Sequence, residues 1–158
     1  LILRPFTEQD IDALYLMNSN SAMLKYIPTE PFTEREQARE LFHNVILQDY
    51  QQRGFGRWAV EHKADSKVIG FCGPKFIPEF NEVEIGYRYF PEYWGKGIGT
   101  EAAQAAISVF PQFGITQIIA LILEGNLGSE AVAKRIGMHW REPSEFMGYK
   151  VNVYAKTL

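Results

Sequence analysis

The spacing of apolar and polar positions changes period along the chain, and each change marks an element. "LILRP" at the start is strand-like. In "TEQDIDALYLMNS", Ile11, Leu14 and Tyr15 follow at helical spacing behind Thr7, with Asp10 three positions on as an acidic form of the capping box. A second helix is predicted over "TEREQARELFHNVILQDYQQRG", where Thr33 and Glu36 repeat the device, Ala38, Leu41, Phe42 and Val45 form one stripe, and Gly54 ends it. From Phe55 the period falls to two. "FGRWAVEHK", "KVIGFCGPKFI" and "EVEIGYRYF" are read as three consecutive antiparallel strands, parted by "ADS" and by a turn around Glu79 to Asn81.

"PEYWGKGIGTEA", Pro91 to Ala102, comes next. From about Gly99 a helix is predicted, with Ala102, Ala103, Ala106, Ile107 and Phe110 facing inward until Pro111 and Gly114 interrupt it. "TQIIALIL" is almost continuously apolar, as a strand buried on both faces would be. A short helix, "SEAVAKRIG", and a final strand pair, "MHWRE" and "YKVNVYAK", complete the chain. Helices first, a meander in the middle and a strand, loop, helix, strand crossover later predict an α+β domain with a mixed sheet.

Composition narrows the function classes. A chain of 158 residues is expected to form one domain, and 46% hydrophobic with 22% charged residues, interleaved throughout, argues against disorder. The net charge of -3 and the lack of a lysine or arginine block argue against nucleic acid or a membrane surface as the main partner. The single cysteine, Cys72, has no disulfide partner within the chain, no apolar run approaches the roughly 18 residues of a membrane span, and no signal-peptide pattern is present. The cytoplasm is the expected compartment. Because Leu1 opens the sequence without a methionine, a few native residues are expected ahead of it.

The glycines at 95, 97 and 99 lie between a strand and a helix, where bare backbone amides and the helix dipole favour an anion. No stretch supplies the G-x-x-x-x-G-K-[ST] of a Walker loop. A G-x-G-x-x-G started at Gly95 meets Thr100 where the third glycine belongs, so the dinucleotide fingerprint fails too. Taken alone, the loop reads as a glycine-rich turn with no ligand. Its neighbourhood changes that reading. "EIGYRYFPEYWGKGIGTEA" followed by "EGNLGSEAVAKRIGM", with "LILRPFTEQDIDAL" and "GRWAVEHKADSKVIGFCG" upstream, resembles the GNAT acyltransferases, and more closely their branch similar to the ribosomal-protein N-terminal acetyltransferases.

The resemblance covers essentially the whole chain, 1–158, as a single acyltransferase domain. It implies a mostly antiparallel mixed sheet flanked by helices, with a splayed central strand pair and acetyl-CoA as co-substrate. The family's [QR]-x-x-G-x-[GA] loop binds the diphosphate through main-chain amides, implying that role for Gly95, Lys96, Gly97, Ile98, Gly99 and Thr100; Trp94 replaces the first arginine or glutamine. Lys96 is either a diphosphate contact or a solvated lysine, and Thr100 either a hydroxyl donor or a helix cap. Main-chain groups of Arg88, Tyr89 and Phe90 are implied for the pantetheine arm, as is Asn126. Asn126 could instead cap the last helix, and for Ser129 capping and binding stay level.

Acetyl transfer to an amine needs that amine neutral, and a primary alkyl amine with a pKa of roughly 10.4 is almost wholly protonated at neutral pH. Glu84 matches the glutamate that many relatives place on this strand and is the candidate base, with Glu82 on the same face as a weaker substrate-facing candidate. A backbone N–H near Tyr89 is the candidate oxyanion donor. Many relatives protonate the leaving thiolate with a tyrosine where this chain has Ala133, so Ser129 or a water would take that part. Cys72, in an apolar run, reads as core. His43, His62 and His139 lack ligand spacing, and no metal is expected. Direct transfer to a protein N-terminus or a small amine is the first reading, with the segment "NSNSAMLKYIPTEPF" framing the acceptor. A catalytically weak acyl-CoA-binding or sensory domain is the second, and an interaction module without CoA binding the third. A monomer and a homodimer are equally compatible with the sequence.

Overall fold

A computed structural model describes residues 1–27 and 29–158; Pro28, within the segment expected to frame the acceptor, lies outside the described residues. Its strands are β1 (Ile2–Pro5), β2 (Trp58–His62), β3 (Lys67–Ile77), β4 (Glu82–Tyr89), β5 (Gln117–Leu123), β6 (His139–Phe146) and β7 (Tyr149–Thr157). They form one sheet in the order β1-β2-β3-β4-β5-β7-β6. Every neighbouring pair is antiparallel except β4 and β5, which run parallel and pair at one position, Glu84 opposite Ile119. The mixed, mostly antiparallel sheet and its splayed central pair are those the sequence implied.

Helices cover both faces. On one lie α1 (Ile11–Met17), α2 (Ser21–Leu24), α3 (Arg35–Leu41) and α4 (Leu47–Arg53), whose core includes Ile11, Leu14, Met17, Met23, Ala38, Phe42 and Ile46. On the other lie α5 (Ile98–Val109) and α6 (Leu127–Arg135), where Ala102, Ala103, Ala106 and Ala133 pack against Ile85, Tyr89, Ile118, Ala120 and Ile122. Side chains alternate along β4 accordingly. Ile85, Tyr87 and Tyr89 turn toward α5 and α6, whereas Glu84, Gly86 and Arg88 turn toward α1.

The capping box at Thr7 and Asp10 forms, but it opens a 3-10 turn (Glu8–Asp10) that leads into α1. The second helix starts one residue later than its spacing predicts. Glu34 is the N-cap, because the side-chain oxygen of Gln37, rather than Glu36, reaches back to the Thr33 and Glu34 amides at 2.7 and 3.0 Å. Between α3 and α4 the helix widens into a π-turn, Phe42–Ile46. The wider turn delays the apolar stripe by one position, so Ile46 is buried and Val45, expected inside, is 38% exposed. The last strands are longer than their apolar patterns predict: β6 runs through Pro143, tolerated because it is an edge strand, to a tight turn at Met147 and Gly148.

Candidate active site

The glycine turn is built from backbone conformation. Gly95 and Gly97 both sit at positive φ, +73° and +77°, and Gly97 caps α5, which begins at Ile98, next to the expected Gly99. Glu101 makes the first bond back, to the Gly97 carbonyl at 3.1 Å, so the amides of Ile98, Gly99 and Thr100 have no partner within the helix. Those three N–H groups at the positive end of a 12-residue helix are the elements of an anion cradle. Thr100 is not the cap. Its hydroxyl oxygen is buried without a protein partner beside that cradle, an orphan polar atom of the kind a bound group satisfies.

Side chains around the turn hold it in place. Trp94 donates its indole N–H to the Tyr89 carbonyl at 2.7 Å, fastening the turn to the end of β4. Lys96 leans over the Tyr93 ring, 5.7 Å from its centre, and Tyr93 donates to Asp65 at 2.8 Å. Gly99 has ordinary room: a Cβ there would meet Tyr89 and Val132 at 3.5 Å.

The seam between β4 and β5 opens at a side-chain hydrogen bond. Phe90 donates to Ile69 on β3 at 2.9 Å, so by strand alternation the main-chain groups of Ile85, Tyr87 and Tyr89 point the other way, toward β5. A regular parallel ladder beyond Glu84 and Ile119 would carry the Leu121 N–H to the Ile85 carbonyl. Instead Leu121 donates to Oε2 of Glu84 at 3.0 Å. The carboxylate takes the place of the next rung, and from there the strands part.

Glu84 is accordingly not on a solvent face; it is 9% exposed. Its other oxygen, Oε1, accepts from Arg57 Nη2 at 2.7 Å, and each oxygen keeps a second lone pair. Glu82 is bound to Arg141 through two bonds of 3.0 and 2.8 Å. Arg88 extends to the end of α1, donating to the Met17 carbonyl and to Asn18 at 3.3 and 3.0 Å, and burial, with Arg57 nearby, lowers its pKa to about 10.

Across the seam Asn126 caps α6 by accepting from the Ser129 amide at 3.2 Å, so the cap belongs to Asn126 and not to Ser129. The Ser129 carbonyl accepts from the Tyr87 hydroxyl at 2.9 Å, and burial holds that phenol well above the usual tyrosine value. Ala133, on the inner face of α6, is fully buried. Cys72 is buried as well, and burial pushes its thiol up to about 12. His43 pairs with Glu8, and among the described residues no cluster of His, Cys, Asp or Glu is arranged to hold a metal. Surface cavities of about 320 and 430 Å³ lie along β6 and β7, and neither includes a residue of the glycine turn.

The structure therefore brings Glu84, Tyr89, the glycine turn and Asn126 to the β4 and β5 seam. Sequence reasoning missed Arg57 and Tyr87, whose roles depend on which strands and helices lie opposite them.

The comparisons with known proteins agree on the family. A family model described as an acetyltransferase (GNAT) domain matches residues 1–139. The uncharacterized N-acetyltransferase p20 of Bacillus licheniformis is 33% identical over 132 residues, covering 82% of this chain and 73% of p20. A GNAT-family acetyltransferase structure from Bacillus anthracis superposes with a TM-score of 0.81 at 26% identity, covering 98% of this chain and 93% of that one. A ribosomal L7/L12 alpha-N-protein acetyltransferase solved with coenzyme A superposes at 0.82 with 25% identity, covering 99% and 93%. No helix among the described residues is long and apolar enough to cross a membrane. A family match over most of the length, on a fold with this seam and this turn, makes the chain a member of the GNAT family, an N-acetyltransferase that takes its acetyl group from acetyl-CoA.

Proposed function

We propose that the acceptor is the α-amine of a protein N-terminus, and that it attacks the thioester directly while Glu84 takes its proton through a water. The observation that carries this reading is the buried Glu84 carboxylate at the one point where β4 and β5 meet. Glu84 turns to the same face of the sheet as α1, and the amine would arrive from the side bordered by α1 and the segment that follows it. Likeness to the L7/L12 alpha-N-protein acetyltransferase supports a protein N-terminus over a small amine. An α-amine, with a pKa of about 7.7 to 8.0, also asks less of a base than an alkyl amine does.

In the transfer the amine nitrogen bonds to the acetyl carbon, the carbon–sulfur bond breaks, and the ammonium proton passes by way of water to Glu84. Main-chain amides of Ile98, Gly99 and Thr100 would hold the diphosphate of acetyl-CoA, and the Tyr89 N–H is the oxyanion donor. Buried Cys72 is no candidate for an acyl-enzyme. Ala133 leaves α6 without the usual acid, so the thiolate's proton is assigned to Ser129 or a water. That same alanine favours a second reading, a catalytically weak acyl-CoA-binding domain.

Release of CoA is measured with N-terminal peptides, amino acids, polyamines and aminoglycosides as acceptors, for the parent and for Glu84→Gln. Turnover with peptide N-termini that drops about a hundredfold or more in the variant is expected. CoA binding without turnover of any amine selects the second reading, and an unimpaired variant removes Glu84 as the base.

A further inference from the structure

Arg57 immediately precedes β2, yet its guanidinium lies across β3 and β4. It donates to the Gly73 carbonyl at 2.7 Å, to the Glu84 carbonyl at 3.2 Å and to Glu84 Oε1 at 2.7 Å. Gly73 and Gly86 are directly paired across the two strands. A Cβ on Gly86 would stand 2.5 Å from Arg57 Cζ, and one on Gly73 would stand 2.9 Å from the Trp58 nitrogen. The paired glycines therefore leave a flat slot on the sheet, and the guanidinium occupies the Gly86 half of it. Its backbone is fixed from behind, since the Arg57 carbonyl accepts from the Tyr50 hydroxyl, which itself accepts from the Phe6 amide at 2.9 Å. Within the slot the planar fork of arginine serves both strands and the carboxylate at once, which an ammonium does not.

We propose that Arg57, seated in the Gly73 and Gly86 slot, is a positioning residue for acetyl transfer: it holds the Glu84 carboxylate in the orientation that both receives the Leu121 amide and faces the acceptor. The catalytic half of this inference rests on Glu84 being the base. Arg57 itself touches no substrate in this scheme. Its effect passes through Glu84, with Gly86 supplying the space. An alanine at 86 alters no charge and no hydrogen-bonding group, yet it displaces the guanidinium.

The test uses Arg57→Lys, Arg57→Met, Gly86→Ala and Glu84→Gln, with Arg57→Met/Glu84→Gln as the double variant. Arg57→Lys and Gly86→Ala are the variants to rely on where Arg57→Met fails to fold. Steady-state kinetics should show kcat reduced roughly tenfold to a hundredfold in Arg57→Lys and Gly86→Ala, with the KM for acetyl-CoA within about threefold of the parent. Adding Arg57→Met to Glu84→Gln should cost little more, because both act on one group. Amide exchange at Leu121, read by NMR, should quicken in Arg57→Lys and Gly86→Ala relative to Ile119. Unchanged Leu121 exchange overturns the inference whatever Glu84 does in the reaction, and so does a parental kcat in both variants when Glu84→Gln is impaired. Faster Leu121 exchange with full activity in Glu84→Gln supports Arg57 as the holder of Glu84 and removes the base reading alone.

Discussion

Gly97 and Gly99 look equivalent in the sequence, and the backbone separates them. Gly97 occupies the left-handed region, where a β-branched residue is strained, whereas Gly99 lies in the first turn of α5 with ordinary space around it. Gly97→Val is therefore expected to remove most CoA affinity and Gly99→Ala to cost little, with Lys96→Ala weakening binding only modestly because that side chain leans on Tyr93. Calorimetric titration with CoA checks the order, and a larger loss in Lys96→Ala than in Gly97→Val would contradict a backbone cradle. At this scale the sequence was legible where chemistry is local. The turn leading into α5 and the burial of Cys72 followed from neighbours in the chain. Arg57 did not, since its partners at 73 and 84 become neighbours only when β3 and β4 pair.

Elements were legible wherever one period ran undisturbed. The strands in the meander, α5 and β5 fell where their patterns put them, but no apolar spacing announces a π-turn, and Val45 and Ile46 exchanged places because of it. The junction of β1 with the turn opening α1 shows how a cap grows into tertiary structure. Asp10, 5% exposed, accepts from Arg4 at 2.8 and 3.0 Å and from the Thr7 amide at 2.8 Å. Burial alone would raise its pKa; the Arg4 and Thr7 bonds outweigh burial and leave it lowered from 3.8. A lowered folded value means that the contribution is complete above the unfolded pKa and disappears as pH falls through the folded one. Asp10→Asn should therefore cost about 1 to 3 kcal/mol at neutral pH, with the gap from the parent narrowing below about pH 4. Urea unfolding across that range is the measurement, and a gap independent of pH would show that the charge is not what stabilises the junction.

At the scale of the molecule, β4 and β5 join two sheet halves that share one paired position, so contacts spanning that boundary carry more than their usual weight. Two of them run between hairpins: Glu82 with Arg141, and Phe80 edge-on to Phe146 at 6.1 Å between ring centres. Arg141→Ala is expected to lower stability by no more than about 1 kcal/mol, and less at high salt, since the pair is partly exposed. Its effect on acceptor KM should nevertheless exceed its effect on CoA affinity, because the tie lies on the Glu84 face; equal changes in the two would argue against that. The division between halves was foreseen only through family resemblance. Neither "EVEIGY" nor "TQIIALIL" states that a carboxylate will replace a rung.

In mechanical terms the Glu84 and Ile119 pair is a pivot. Tyr89 lies five residues beyond Glu84, about 17 Å away at a strand's rise. A relative rotation of roughly 5° between the halves would therefore shift the far end by about 1.5 Å and leave the carboxylate almost still. Such a rotation would widen the mouth of the seam while the point where chemistry is proposed kept its geometry.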